Sequence, residues 1–98
     1  DIVLDGGVTR GTDVLKALAL GCKAVTIGKL QGWGLGAGGK DGLVRVLEIL
    51  EDELIIDMAL LGVTSIDQVN PSYVCKCYPA ALPHEMSAFP HMPGGRLI

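Results

Sequence analysis

Two short runs of apolar, largely β-branched residues, Ile-Val-Leu at 2–4 and Ala-Val-Thr-Ile at 24–27, constrain this chain more than anything else in it. Each stops at glycine: the first at Asp5, Gly6 and Gly7, the second at Gly28 followed by Lys29. Apolar runs of this length bounded by glycine read as buried strands meeting loops. Between them lies a helical pattern carrying Val14, Leu15, Leu18 and Ala19, with Thr12 or Asp13 as the expected cap and Gly21 as the stop. After the second run comes the glycine-rich LQGWGLGAGGKDG and then a long helical pattern, expected over about 42–61. There Leu43, Leu47, Leu50, Leu54, Met58 and Leu61 fall at spacings of three and four. The order is βαβα. Uninterrupted apolar character in both runs suits parallel strands covered on both faces, hence an α/β fold.

Gly62 is expected to end the long helix, and TSIDQV to form one short turn capped by Thr64 or Ser65. From Pro71 the character changes. All five prolines of the chain lie beyond residue 70, with Gly94 and Gly95 and no sustained period. The expected division is therefore 1–70, the βαβα part, and 71–98, an irregular proline-rich tail. Within the tail, Met86 and Phe89 are the apolar residues expected to dock on the folded part.

Both strand ends carry the same device, a glycine loop with a cation nearby: Gly6, Gly7 and Arg10 after the first, Gly28 and Lys29 after the second. Glycine lets a backbone approach a ligand and turn its N–H groups toward it, and a helix N-terminus behind the loop adds partial positive charge. An anion such as phosphate fits that chemistry. In a (β/α)₈ barrel the loops after the last two strands often form a phosphate site. Glycines after strands also serve as plain turn residues, and the pattern alone leaves both readings open.

Net charge and cysteine content exclude other classes. A formal net charge of −3 offers no basic face, so nucleic acid is not expected as a partner. No apolar run approaches the roughly 20 residues of a membrane span, and the N-terminus carries no secretory signal pattern. Three cysteines, Cys22, Cys75 and Cys77, make an odd count that reads as reduced thiols in the cytoplasm. Cys75, Cys77, His84 and His91 have the residue types of a zinc site but not its spacing, so no metal is expected. Cys22 reads as a small buried residue, Trp33 as a packing residue, and Glu48, Glu51, Asp52 and Glu53 as a solvated helix face.

The segments LDGGVTRGTDVLKALALGCKAVTIGK, GWGLGAGGKDG and LEILEDELIIDMALLGVTSIDQV together resemble the C-terminal part of the FMN-dependent α-hydroxy-acid dehydrogenases and oxidases, without a gap from about residue 2 to 69. The resemblance implies a TIM (β/α)₈ barrel, of which the last two βα units are present as a fragment. It implies FMN as cofactor and oxidation of an L-2-hydroxy acid to a 2-oxo acid, with the full-length protein expected to be a homo-oligomer. Asp5, Gly6, Gly7, Val8, Thr9, Arg10, Gly28 and Lys29 match the family's cofactor-binding positions. Thr9 stands where the family usually has arginine, and Lys29 likewise. A neutral hydroxyl and a point charge there replace planar two-pronged donors. The family's catalytic histidine, substrate-binding arginine and flavin-steadying lysine match nothing in this chain, so no catalytic residue is expected in it. The alternatives are another FMN- or phosphate-binding barrel, resembling IMP dehydrogenase or type 2 isopentenyl-diphosphate isomerase, and a non-catalytic phosphate-binding module.

Overall fold

Parallel strands need a crossover between them, and the helix between the two apolar runs provides it. The computed structural model describes residues 1–77 and two two-residue strands further on, at 91–92 and 96–97. Strand β1 (Val3–Leu4) lies parallel to β2 (Ala24–Val25), with Val3 opposite Ala24 and Leu4 opposite Val25. The ladder continues at both ends: Lys23 N–H donates to the Ile2 carbonyl at 2.8 Å and Thr26 N–H to that of Leu4 at 2.9 Å. The two later strands, β3 (His91–Met92) and β4 (Arg96–Leu97), pair antiparallel.

Helix α1 (Gly11–Ala19) begins slightly earlier than its sequence pattern indicates. Its cap position is Arg10, in extended conformation, rather than Thr12 or Asp13. Asp13 sits three residues on and reaches back to accept from Arg10 N–H at 3.0 Å, the reciprocal half of a capping box. The helix stops at Gly21 as expected, whose N–H donates to the Leu18 carbonyl at 3.0 Å, while Cys22 N–H reaches that of Ala17 at 3.1 Å. On its inner face Leu15 and Ala19 join Val63 and Val69 in the core, with Leu54, Met58 and Val74 packed against them. Each fully buried aliphatic side chain of this size contributes about 1.5–3 kcal/mol.

The largest departure from the sequence expectation is helix α2, which spans Lys29–Leu61 and includes the glycine-rich segment that reads as a loop. It is two helical arms meeting at a kink, where Gly38 (φ −154°, ψ 20°) and Gly39 (φ 60°, ψ −140°) leave helical geometry. Gly39 occupies a backbone region that a side chain would strain. The glycines have a packing reason that local propensity does not register. A Cβ on Gly34 would come within 2.8 Å of Val46 Cγ2 and 3.0 Å of the Gly42 carbonyl oxygen, and a Cβ on Gly42 would overlap the Gly34 carbonyl. The two arms touch backbone to backbone, which only glycine permits.

The apolar stripe expected along 43–61 is narrower in the structure. Leu54 and Met58 reach the core, whereas Leu47 is 51% and Leu61 36% exposed; Ile55, Ile56 and Leu60, which lie off the stripe, are exposed as well. The strands also differ from their expected burial: Ile2 is 67% and Val3 57% exposed. Each of the two has a single neighbour in its sheet, and a parallel sheet is dry only when further strands and helices close over it.

Beyond Gly62, which ends α2 as expected, Ile66–Gln68 forms one 3₁₀ turn, with Ser65 Oγ accepting from Asp67 N–H at 3.4 Å. A second, Pro71–Tyr73, is capped by Asn70, whose Oδ1 accepts from Ser72 N–H at 3.0 Å, and lies just past the expected boundary at residue 70. Cys75 and Cys77 are exposed and Cys22 half-buried, all three unbonded. His84, Met86 and Phe89, expected in the tail, lie outside the described residues.

Candidate flavin-phosphate site

The parallel register brings the two glycine loops to one place. Leu4 pairs with Val25, so Asp5 and Thr26 are the next residues on each strand, and both chains leave the sheet at the same end. The Thr26 hydroxyl donates to Asp5 Oδ1, which ties the two strand ends together across the mouth of the site. Residues 6–9 and 27–29 thus emerge side by side.

Gly6 and Gly7 both take positive φ, 98° and 75°. Two successive residues of that kind make a turn that ordinary residues resist, which accounts for the paired glycines. A Cβ built on Gly6 or on Gly28 would meet nothing within 4 Å. Neither glycine is there to relieve crowding within the described residues. Open space over bare backbone at two adjoining loops is a cradle, and its donor chemistry fits a phosphate.

The two helix N-termini behind the loops differ. At α1 the donors are committed: Asp13 Oδ2 accepts from Thr9 N–H at 3.1 Å, from the Thr9 hydroxyl at 3.3 Å and from Arg10 N–H at 3.0 Å. Glu53, from the second arm of α2, accepts Gly11 N–H at 2.7 Å on one oxygen and Arg10 Nε at 2.9 Å on the other. At α2 the cap position is Gly28, which has no side chain of its own to cap the helix. A helix N-terminus carries partial positive charge, and that of the short first arm of α2 begins at Lys29.

Two of the sequence-predicted residues make contacts that their sequence positions do not announce. Arg10, expected beside the phosphate, directs Nε to Glu53, because the acid and the start of α1 lie in contact. Thr9 spends its hydroxyl proton on Asp13 and retains only acceptor capacity toward an anion. Asp5, Gly6, Gly7, Val8, Gly28 and Lys29 remain together at the sheet end, with Val8 the one buried side chain of the loop at 4% exposure.

Glu53 is the residue that reading the sequence missed. It was expected on the solvated face with Glu48, Glu51 and Asp52; those three are exposed, and Glu48 pairs with Arg45 at 3.2 Å. Glu53 adjoins Leu54, which packs against the core, and that adjoining position is its one local signal. Trp33, expected to pack, is 43% exposed, because in the first arm of α2 the only buried residue is Gly34, at the crossing with the second arm. No helix among the described residues is long and apolar enough to cross a membrane.

Known proteins resemble this chain in sequence and in fold. The family model for FMN-dependent dehydrogenases matches residues 1–76. A 2-hydroxyacid oxidase of Dictyostelium discoideum is 55% identical over 73 residues, covering 74% of this chain and 19% of the relative. A peroxisomal (S)-2-hydroxyacid oxidase of Arabidopsis thaliana is 52% identical over 73 residues, covering 74% of this chain and 20% of the relative. A solved flavocytochrome b2 superposes with a TM-score of 0.75 at 40% identity, over 87% of this chain and 23% of that one. The chain thus spans about a fifth of the length of the curated relatives it matches. With the family model matched over three quarters of its residues, the chain belongs to the FMN-dependent dehydrogenase family.

Proposed function

We propose that this chain supplies the phosphate-binding part of a TIM-barrel flavoenzyme that oxidises a 2-hydroxy acid to the 2-oxo acid. The observation that carries this reading is the parallel pairing of β1 and β2, which sets the two glycine loops side by side with Asp5 and Thr26 bonded between them. Relatives named as hydroxyacid oxidases favour it over the isomerase-like and non-catalytic alternatives. Its compartment is proposed to be one without disulfide formation, cytoplasmic or, as in the name of the Arabidopsis relative, peroxisomal.

FMN, when bound, supplies the hydride acceptor. The residues of this chain bind and orient. Backbone N–H groups of residues 6–8 and the N-terminus of α2 at Gly28–Lys29 take the phosphate, and the Lys29 ammonium adds the full charge that Thr9 does not provide. Asp5, fixed by the Thr26 hydroxyl, keeps its second oxygen for a sugar-type hydroxyl. No group in residues 1–77 is placed here in proton or hydride transfer, and the acid, base and carboxylate-binding roles fall to other parts of the full-length enzyme.

The test is flavin retention by the full-length protein. Gly7→Asp sets a carboxylate in the cradle and should leave an apoprotein that a phosphate-bearing flavin no longer restores. Unchanged FMN affinity in that variant would show that the phosphate lies elsewhere. Bleaching of the bound flavin by a 2-hydroxy acid under anaerobic conditions, and not by a nucleotide substrate, separates the proposed activity from the alternatives.

A further inference from the structure

We propose that Glu53 is a positioning residue for flavin binding, acting from the second arm of α2 through Arg10 and Gly11 on the loop that carries the phosphate donors. This rests on the flavin reading above. The loop of residues 6–8 is anchored at its start by the strand pairing and by Thr26 on Asp5. Its far end, residues 9–11, is gripped by two carboxylates. Asp13 is local and takes both the Thr9 and Arg10 N–H groups. Glu53 is 42 residues away from Gly11 and takes its N–H at 2.7 Å, while its other oxygen holds Arg10 Nε at 2.9 Å.

The contact is close enough to leave no slack. A Cβ on Gly11 would fall 2.5 Å from Glu53 Cβ and 2.6 Å from Leu54 N, so the start of α1 rests directly on the backbone of α2. Only about a quarter of the Glu53 side chain is exposed (26%), so water replaces its bonds poorly. A loop fixed at both ends presents its N–H groups already ordered, and binding then does not spend free energy on ordering them. A carboxylate near an anion site would by charge alone weaken phosphate binding. The geometry assigns it the opposite net effect, because it is aimed at Gly11 N–H and Arg10 and not into the cradle.

The experiment measures FMN dissociation constants by flavin fluorescence on the full-length apoprotein, alongside its melting temperature without flavin. Glu53→Ala is expected to weaken FMN about tenfold or more, the scale of one lost charge-assisted hydrogen bond. Glu53→Gln keeps an oxygen that can accept from Gly11 N–H and is expected to stay within about threefold of the unsubstituted protein. Leu54→Ala, which cuts core packing one residue away and removes no hydrogen bond to Arg10 or Gly11, is expected to lower the melting temperature while leaving FMN affinity within about threefold. Should Glu53→Ala yield too little folded protein, Glu53→Asp, one methylene shorter, gives the same reading with a several-fold loss. Equal or tighter FMN binding in the Ala or Asp variant overturns the positioning role, as does an equal loss in Leu54→Ala. Absence of FMN binding by the unsubstituted protein instead overturns the flavin reading itself, and this inference with it.

Discussion

The carbonyl oxygen of Gly34 occupies the place that a Cβ on Gly42 would need, so the two arms of α2 meet there without any side chain between them. That contact holds the short first arm against the long second arm.

Substitution at this crossing should therefore be costly while a neighbouring glycine is not. Gly42→Ala is expected to destabilise the protein by about 1–3 kcal/mol, the usual cost of forcing a methyl into filled space. Gly36 lies in the first arm, two residues beyond Gly34, with nothing within 4 Å of its would-be Cβ among the described residues. Gly36→Ala should stabilise by about 0.5–1 kcal/mol, since alanine loses less backbone entropy in a helix. Denaturant melts of the two variants check the pair; effects of the same sign would contradict the crossing.

Leu15 carries α1 into the core, 7% exposed among Ala19, Val63 and Val69. Leu15→Ala should cost about 2–5 kcal/mol through lost burial and the cavity left behind. The check is a shift in denaturation midpoint without a change in slope.

As an isolated 98-residue chain, the protein should associate with itself. Ile2 and Val3 stand 67% and 57% exposed on a two-stranded sheet, where unpaired strand edges and apolar side chains invite another copy. Sedimentation over a concentration series should show growth in mass, reduced in the Ile2→Lys, Val3→Lys double variant. A monomer at all concentrations would show that the exposed sheet is not adhesive.

Position 9 offers a gain. The Thr9 hydroxyl contributes one long bond of 3.3 Å to Asp13, and the Thr9 N–H keeps that carboxylate engaged without it. Thr9→Arg should therefore be tolerated, and its planar charged fork should tighten FMN about tenfold, or about 1.4 kcal/mol, in the full-length protein. An affinity that does not move in a fluorescence titration would mean that the side chain at 9 does not face the phosphate.

The parts of this structure that can be read along the chain are those whose causes are local. Strand, glycine loop, α1 and its stop at Gly21 follow from patterns within a few residues, and so does the 3₁₀ turn capped by Ser65. The first arm of α2 does not. Five glycines among residues 32–39 argue against a helix by propensity, and the arm exists because Gly34 and Gly42 allow a close crossing that no local rule contains. The capping residue of α1 was half legible: Asp13 does cap, but from inside the helix. In the candidate site the glycine loops were legible by their type and their place after strands. The roles of Arg10 and Glu53 were not, because the bond between them joins positions 43 apart.

That bond also bears on the order of synthesis. A nascent chain that has emerged only through β2 already holds every residue of the first glycine loop, yet Gly11 N–H and Arg10 still lack the acid that fixes them. Those two bonds can form only once the second arm of α2 has left the ribosome, so the contacts at this end of the loop are completed later in synthesis than the loop itself.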